Sequence, residues 1–212
     1  MVVKSEGRRR EWSACALSAS VLVAGCRPAP ASSPEPAGAG ERPVVVPDVP
    51  LAGVAGGPDE TIGTRQLAAR SPITVLVFFS PDCHCLSVHE PRLRALSETD
   101  GPQGVQFVMI DSEVRGSPER DAEEARRRGY RFPILLDRGG RLARALGAEY
   151  AGYAVVVDSR ARVHYRGGID SDRTHLHDGR ARYLEQALDD LLDHREPRLA
   201  EGKTLGCVLE TW

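Results

Sequence analysis

The stretch Ile73–Leu93, ITVLVFFSPDCHCLSVHEPRL, decides how the chain reads. Its first seven residues, Ile73 to Phe79, form one run of apolar, mostly β-branched and aromatic side chains. A run of this length without polar alternation marks a strand buried on both faces. Ser80-Pro81-Asp82 follows with helix-start chemistry, so a helix is expected over Pro81–Glu98. Cys83 and Cys85 fall at its beginning. Two cysteines at a strand-to-helix junction point to thiol chemistry, yet a single residue separates them.

The spacing gives the two sulfurs different prospects. With Ser80 as the cap, Cys83 lies in the first turn; one register later, it is itself near the cap. In both cases its sulfur meets unpaired backbone N–H groups and the positive end of the helix dipole, which favour the thiolate and a lowered pKa. A protonated His84 adds to this, and Asp82 opposes it. Residues two apart do not share a helix face, so a Cys83–Cys85 disulfide needs a distorted helix start and is easily reduced. Cys85 and His89 are four apart and do share a face. Such a pair activates a thiolate or holds a soft metal.

Outward from this stretch, strands and helices alternate. Val105–Ile110 and Phe132–Leu136 read as buried strands, and Val44–Val54 as a weak edge segment. Thr64–Ala69, Pro118–Arg128, Arg141–Leu146 and Arg180–Leu192 read as helical, and Tyr153–Asp158 with Arg162–Arg166 as a hairpin. The order predicts an α/β domain, a central mixed sheet flanked by helices. The 212 residues suffice for one such domain with a sizeable core. A net charge of −2, with both signs interspersed, argues against a nucleic-acid surface.

The N-terminus is different in kind. Lys4 and Arg8 to Arg10 precede an apolar run, Trp12–Val23, that fits a signal h-region and is short for a membrane span. It ends in Val23-Ala24-Gly25-Cys26, which resembles the bacterial lipobox, with Cys26 as the lipidated residue. Arg27–Pro50 is rich in Pro, Ala, Ser and Gly and lacks apolar periodicity, so it reads as a disordered tether. Cys15 leaves with the signal, and the mature domain keeps Cys83, Cys85 and Cys207. Three thiols in an oxidising compartment suit a redox or metal site better than a staple. Cys207 follows Gly206 in a tail whose Leu205, Val208, Leu209 and Trp212 are apolar. The tail is therefore expected to dock and to bring Cys207 to Cys83 or Cys85. His175 and His177 lie in a polar loop and look metal-like only in isolation.

Over about Val44–Asp193 the chain resembles the thioredoxin-fold redoxins, the membrane-tethered thiol-disulfide oxidoreductases and peroxiredoxin-like proteins. The resemblance rests on the buried strand, the cysteine at a helix start and Pro91 eight residues after Cys83. The segment between Val105 and Leu146 resembles the strand-helix insertion of exported and peroxiredoxin-like members. Two departures stand out: Leu86 occupies the place of the second cysteine, and Ala151-Gly152-Tyr153 the place of the cis-proline loop.

The resemblance implies a thioredoxin-like domain over 51–195. It is preceded by a signal peptide (1–25) and a tether (26–50) and followed by a docked tail (196–212). It implies a lipid-anchored oxidoreductase in the bacterial cell envelope, exchanging with a protein dithiol or disulfide. Cys83 would be the nucleophile and Cys85 or Cys207 the resolving thiol, supported by Ser80, His84, His89, Pro91 and Gly152. Neither a cofactor nor a resident metal is expected. The alternatives are a thiol peroxidase, with Ser80 three residues before Cys83, and a copper-binding chaperone using Cys83, Cys85 and His89. A domain that keeps the fold without catalysis is a further alternative.

Overall fold

A computed structural model describes residues 43–53 and 60–211. Cys15, Cys26, the signal, most of the tether, Val54 and Trp212 lie outside the described residues. The elements run β1 (Pro50–Ala52), β2 (Thr61–Gly63), α1 (Thr64–Ala68), β3 (Ile73–Phe79), α2 (His84–Asp100), β4 (Val105–Asp111), α3 (Pro118–Arg128), β5 (Ile134–Leu136), α4 (Arg141–Leu146), β6 (Ala154–Asp158), β7 (Val163–Gly167) and α5 (Tyr183–Leu192). Seven strands form one mixed sheet in the order β2-β1-β5-β4-β3-β6-β7.

β3 is central because its sequence permits nothing else. Val75 to Phe79 are all buried, so both faces need cover. β3 pairs in parallel with β4 from Ile73↔Val105 to Phe79↔Asp111, and antiparallel with β6 from Ile73↔Asp158 to Val77↔Ala154. β5 extends the parallel side and β7 the antiparallel side. β3-α2-β4 followed by the β6-β7 hairpin and α5 is thioredoxin-like connectivity, and α3, β5 and α4 form the insertion between β4 and β6. Local signals end these helices: Ser117 Oγ accepts from the Arg120 amide at 3.2 Å to open α3, and Gly129 at φ +66° closes it.

Three departures from the sequence expectation stand out. α2 starts at His84 rather than Pro81, because Cys83 is the cap. β2, a three-residue edge strand beside β1, has too short a pattern to announce itself. Residues 43–50, assigned to the disordered tether, belong to the domain instead. Val46 and Val49 are buried, the Val46 amide donates to the Ala161 carbonyl at 2.9 Å, and the Val163 amide donates to the Val44 carbonyl at 2.8 Å. Val46 and Val49 supply buried apolar area that the Pro/Ala/Gly composition upstream lacks.

Residues 200–211 pass along the sheet and across the top of it. The Arg166 amide donates to the Ala200 carbonyl and the Gly202 amide to the Arg166 carbonyl, both at 2.9 Å, beside β7. Further on, Ala151 donates to the Cys207 carbonyl and Leu209 to the Glu149 carbonyl, each at 2.9 Å, and Val114 to the Glu210 carbonyl at 3.0 Å. Leu209 is buried, whereas Val208 is exposed. Glycines make this course sterically open. A Cβ on Gly206 would land on the Ala151 carbonyl oxygen, and one on Gly168 on the Lys203 carbonyl oxygen.

Candidate functional site: a three-thiol cluster

β3 delivers Cys83 to the first position before α2, at the carboxyl end of the sheet. Cys83 has extended backbone (φ −81°, ψ 106°), and its sulfur accepts from the Leu86 amide at 3.3 Å. The thiol thus acts as the helix cap, a task usually given to Ser, Thr, Asp or Asn. It is 1% exposed. The expected drop in its pKa is overturned. Burial pushes the Cys83 thiol up to about 11, and a thiol–thiol hydrogen bond to Cys207 adds to the rise. The Leu86 and Cys207 amides pull the other way without winning. A buried thiol loses more from desolvation of its charged form than one or two amides return.

The tail brings Cys207 to this point. The sulfurs of Cys83, Cys85 and Cys207 all lie within 4.8 Å of one another, and none is in a disulfide. Cys85 is 8% exposed and Cys207 is half-buried. Cys207 therefore offers the cluster's accessible sulfur. It lies in a cleft of about 230 Å³ shared with Ser80, Asp82, Glu113, Arg120 and Val208. A larger groove, about 660 Å³ around Phe107 and Phe132, holds no thiol.

His89 does not serve the sulfur of Cys85. Its Nδ1 faces the Cys85 carbonyl oxygen at 2.7 Å and its Nε2 faces Asp170 Oδ1 at 3.0 Å. Both partners are acceptors, so only the doubly protonated ring satisfies both. Burial works to lower the His89 pKa, but Asp170 and the Cys85 carbonyl raise it above its ordinary value. Burial likewise works to raise the Asp170 pKa, and His89, the Asp172 amide and Arg92 outweigh it and hold the carboxyl low. Arg92 also reaches Asp172 Oδ2 at 2.9 Å. This network ties α2 to the loop after β7. The metal-ligand and thiolate-activating roles read for His89 from i,i+4 spacing are corrected on that ground.

The other named residues sort by position. His84 is exposed and outside the thiol cluster. Ser80 is buried, and its carbonyl accepts from the Cys83 amide at 3.2 Å. Pro91 lies inside α2 on an exposed face, where it lacks the N–H for the Ser87 carbonyl. Gly152 adopts φ +86° and donates to the Phe78 carbonyl at 2.8 Å, and no cis peptide occurs among the described residues. His177 binds Asp172 through its amide at 2.7 Å and its Nδ1 at 3.2 Å, while His175 pairs with Thr174. The two histidines form no metal-holding group among the described residues.

Sequence reasoning missed two features. Asp170 and Arg92 were not singled out, although His89 and Arg92 stand three apart on one helix face. A second pair, Asp111 at the end of β4 and Asp121 in α3, was also missed. Both carboxylates are buried. Asp121 has no conventional hydrogen-bond partner, and Asp111 Oδ2 has none either. Burial, then the Asp111 charge, push the Asp121 carboxyl up to about 9. Pattern reading cannot see this pair, because it depends on where α3 packs against the sheet.

No family model matches the chain, and no curated protein matches it. Solved structures do. An uncharacterized conserved protein from Geobacillus kaustophilus is 26% identical with a TM-score of 0.70, covering 80% of this chain and 91% of that one. A hypothetical protein from Sinorhizobium meliloti is 24% identical with a TM-score of 0.69, covering 80% and 94%. A putative thiol:disulfide interchange protein DsbE from Chlorobium tepidum is more distant: 15% identical, TM-score 0.49, covering 59% and 84%. Strand order and connectivity give this chain a thioredoxin-like fold, with an insertion between its two halves, and the two longer matches share its overall fold.

Proposed function

We propose that the chain is an exported, lipid-anchored thiol-disulfide oxidoreductase that works through Cys83 and the tail cysteine Cys207. One observation carries this reading: three reduced sulfurs from distant parts of the chain converge within 4.8 Å at a helix start. Cys207 brings its sulfur within 4.8 Å of that of Cys83. In the proposed cycle the tail lifts, and Cys83 loses its proton to solvent. Its thiolate attacks one sulfur of a substrate disulfide, and the other sulfur leaves as a thiolate that takes up a proton. Cys207, deprotonated in turn, attacks the Cys83 sulfur of the mixed disulfide and releases the second substrate thiolate. The substrate gains two electrons, and the protein holds a Cys83–Cys207 disulfide until an external dithiol reduces it.

The anchor at Cys26 rests on the Val23-Ala24-Gly25-Cys26 motif alone. No helix among the described residues is long and apolar enough to cross a membrane. The test of the main reading is peptide mapping of the oxidised protein together with insulin reduction in dithiothreitol. A cross-linked peptide containing Cys83 and Cys207, with activity lost in both Cys83→Ser and Cys207→Ser, is expected. Cys207 recovered only as a free thiol in a protein that still turns over would refute the pairing.

A further inference from the structure

The same three sulfurs make a second kind of site, which does not depend on disulfide exchange. We infer that the reduced cluster of Cys83, Cys85 and Cys207 is a trigonal binding site for a soft monovalent metal ion, Cu(I).

The geometry comes first. A metal–thiolate bond of about 2.3 Å places three trigonal sulfurs about 4.0 Å apart. The three sulfurs here are within 4.8 Å of one another, so a contraction of under about 1 Å closes the shell. A disulfide brings its two sulfurs to about 2 Å, a larger rearrangement. As they stand, the sulfurs are spaced more like ligands around a shared ion than like a bonded pair.

The donor set then selects the ion. All three donors are sulfur, and no histidine or carboxylate joins the group among the described residues. His89, one turn along α2, has both ring nitrogens committed to Asp170 and the Cys85 carbonyl. The ligand set is thus Cys207 in place of the histidine that helix spacing suggested. Zn(II) favours four ligands in a tetrahedron, and a fourth donor is missing. Thiolates select Cu(I) among the common ions. Two of the sulfurs are buried, so water is held away from most of the shell.

Charge and protons also balance. Binding turns three thiols into thiolates, releases three protons and leaves a net charge of −2 on the Cu(I) complex. The Leu86 and Cys207 amides point at the Cys83 sulfur. Arg115 and Arg120 line the cleft at Cys207. The amide donors offset part of the buried negative charge, while the two arginines of the cleft are matched by Asp82, Glu113 and Glu210.

The experiment uses the full chain, reduced and kept free of oxygen and of any disulfide substrate. Cu(I) is delivered in competition with bathocuproine disulfonate, and Zn(II) is offered in a parallel arm. One Cu(I) per chain, a three-sulfur shell in X-ray absorption and no stoichiometric Zn(II) are expected. Cys207→Ser should weaken Cu(I) retention at least tenfold and leave a two-sulfur shell. Thermal melting confirms that this variant is folded; if it is not, the wild-type sulfur count decides alone. Copper surrendered completely to the chelator, nitrogen in the wild-type shell, preference for Zn(II), or a folded Cys207→Ser that binds like wild type would each overturn the site. Because no substrate is present, failure of the disulfide cycle leaves these readings unchanged.

Discussion

The two segments that supply the thiols are built on opposite principles. The start of α2 is local: a buried strand ends, the chain turns, and the Cys83 sulfur caps a helix through the Leu86 amide three residues on. The tail is not local. It reaches the same point through hydrogen bonds to Glu149, Ala151 and Val114, and through close approaches at Gly168 and Gly206. The helix start persists whatever the tail does, whereas the tail's position depends on many weak, distant contacts. The rigid half thus holds the buried sulfurs and the adjustable half the accessible one. Segments of this second kind open at low free-energy cost.

Removing the adjustable sulfur is expected to have the largest effect. Cys207→Ser should eliminate the intramolecular cross-link and reduce insulin-reductase turnover roughly 100-fold, because the resolving step loses its high effective concentration. Steady-state turbidity assays measure this; turnover within threefold of wild type would restore the strained Cys83–Cys85 pair as the working couple.

The rigid half breaks at its anchor. Asp170→Asn leaves His89 and Arg92 without their shared carboxylate in a buried place and should cost about 3 kcal/mol of stability. The sign with pH follows from the raised His89 pKa. That stabilisation is fully present below the unfolded histidine value near 6.5 and fades as pH rises through the folded one. Urea unfolding at pH 6 and pH 9 should show the wild-type advantage shrinking, while a constant gap would remove His89 from the account.

Gly206→Val sharpens the contrast without touching a sulfur. Its side chain collides with the Ala151 carbonyl, so the tail should shift while α2 stays. Alkylation of Cys83 at pH 8 should speed up roughly tenfold as burial is relieved and more thiolate forms. Mass-resolved labelling detects the change, and unaltered protection of Cys83 would show that something other than the tail covers it.

The smallest effect concerns the acid pair. Asp121 stays protonated when folded up to about pH 9 and ionises near 4 when unfolded. Between those values the native state holds the extra proton, so stability falls as pH rises. Asp121→Asn should flatten this slope and gain about 1 kcal/mol at pH 8. Thermal melts across pH 5 to 9 test it, and parallel curves for the two proteins would count against a proton held by Asp121.

What could be read in advance divides along the same line. β3, α3 and α4 have their expected bounds, because a buried run, a Ser-Pro start and a terminal glycine act over a few residues. The approach of Cys207 was legible as apolar residues in a tail, though of Leu205, Val208 and Leu209 only Leu209 is buried. The electrostatics were not legible. The Cys83 pKa moved opposite to expectation because burial outweighs its amide donors, and His89 found Asp170 instead of a sulfur. The apolar segment from Val44 was legible, but the tether boundary at Pro50 was drawn too late because the Pro/Ala/Gly composition runs up to it.

The distance along the chain between Cys83 and Cys207 carries one more consequence. A bond between them would close a ring of about 125 residues that holds β4 to β7, four of the seven strands, and loop entropy assigns such a ring about 5 kcal/mol. A bond between Cys83 and Cys85 encloses three residues and adds little. The oxidation state of this site would then be written into the melting temperature of the entire domain, and heat alone would tell which two sulfurs had joined.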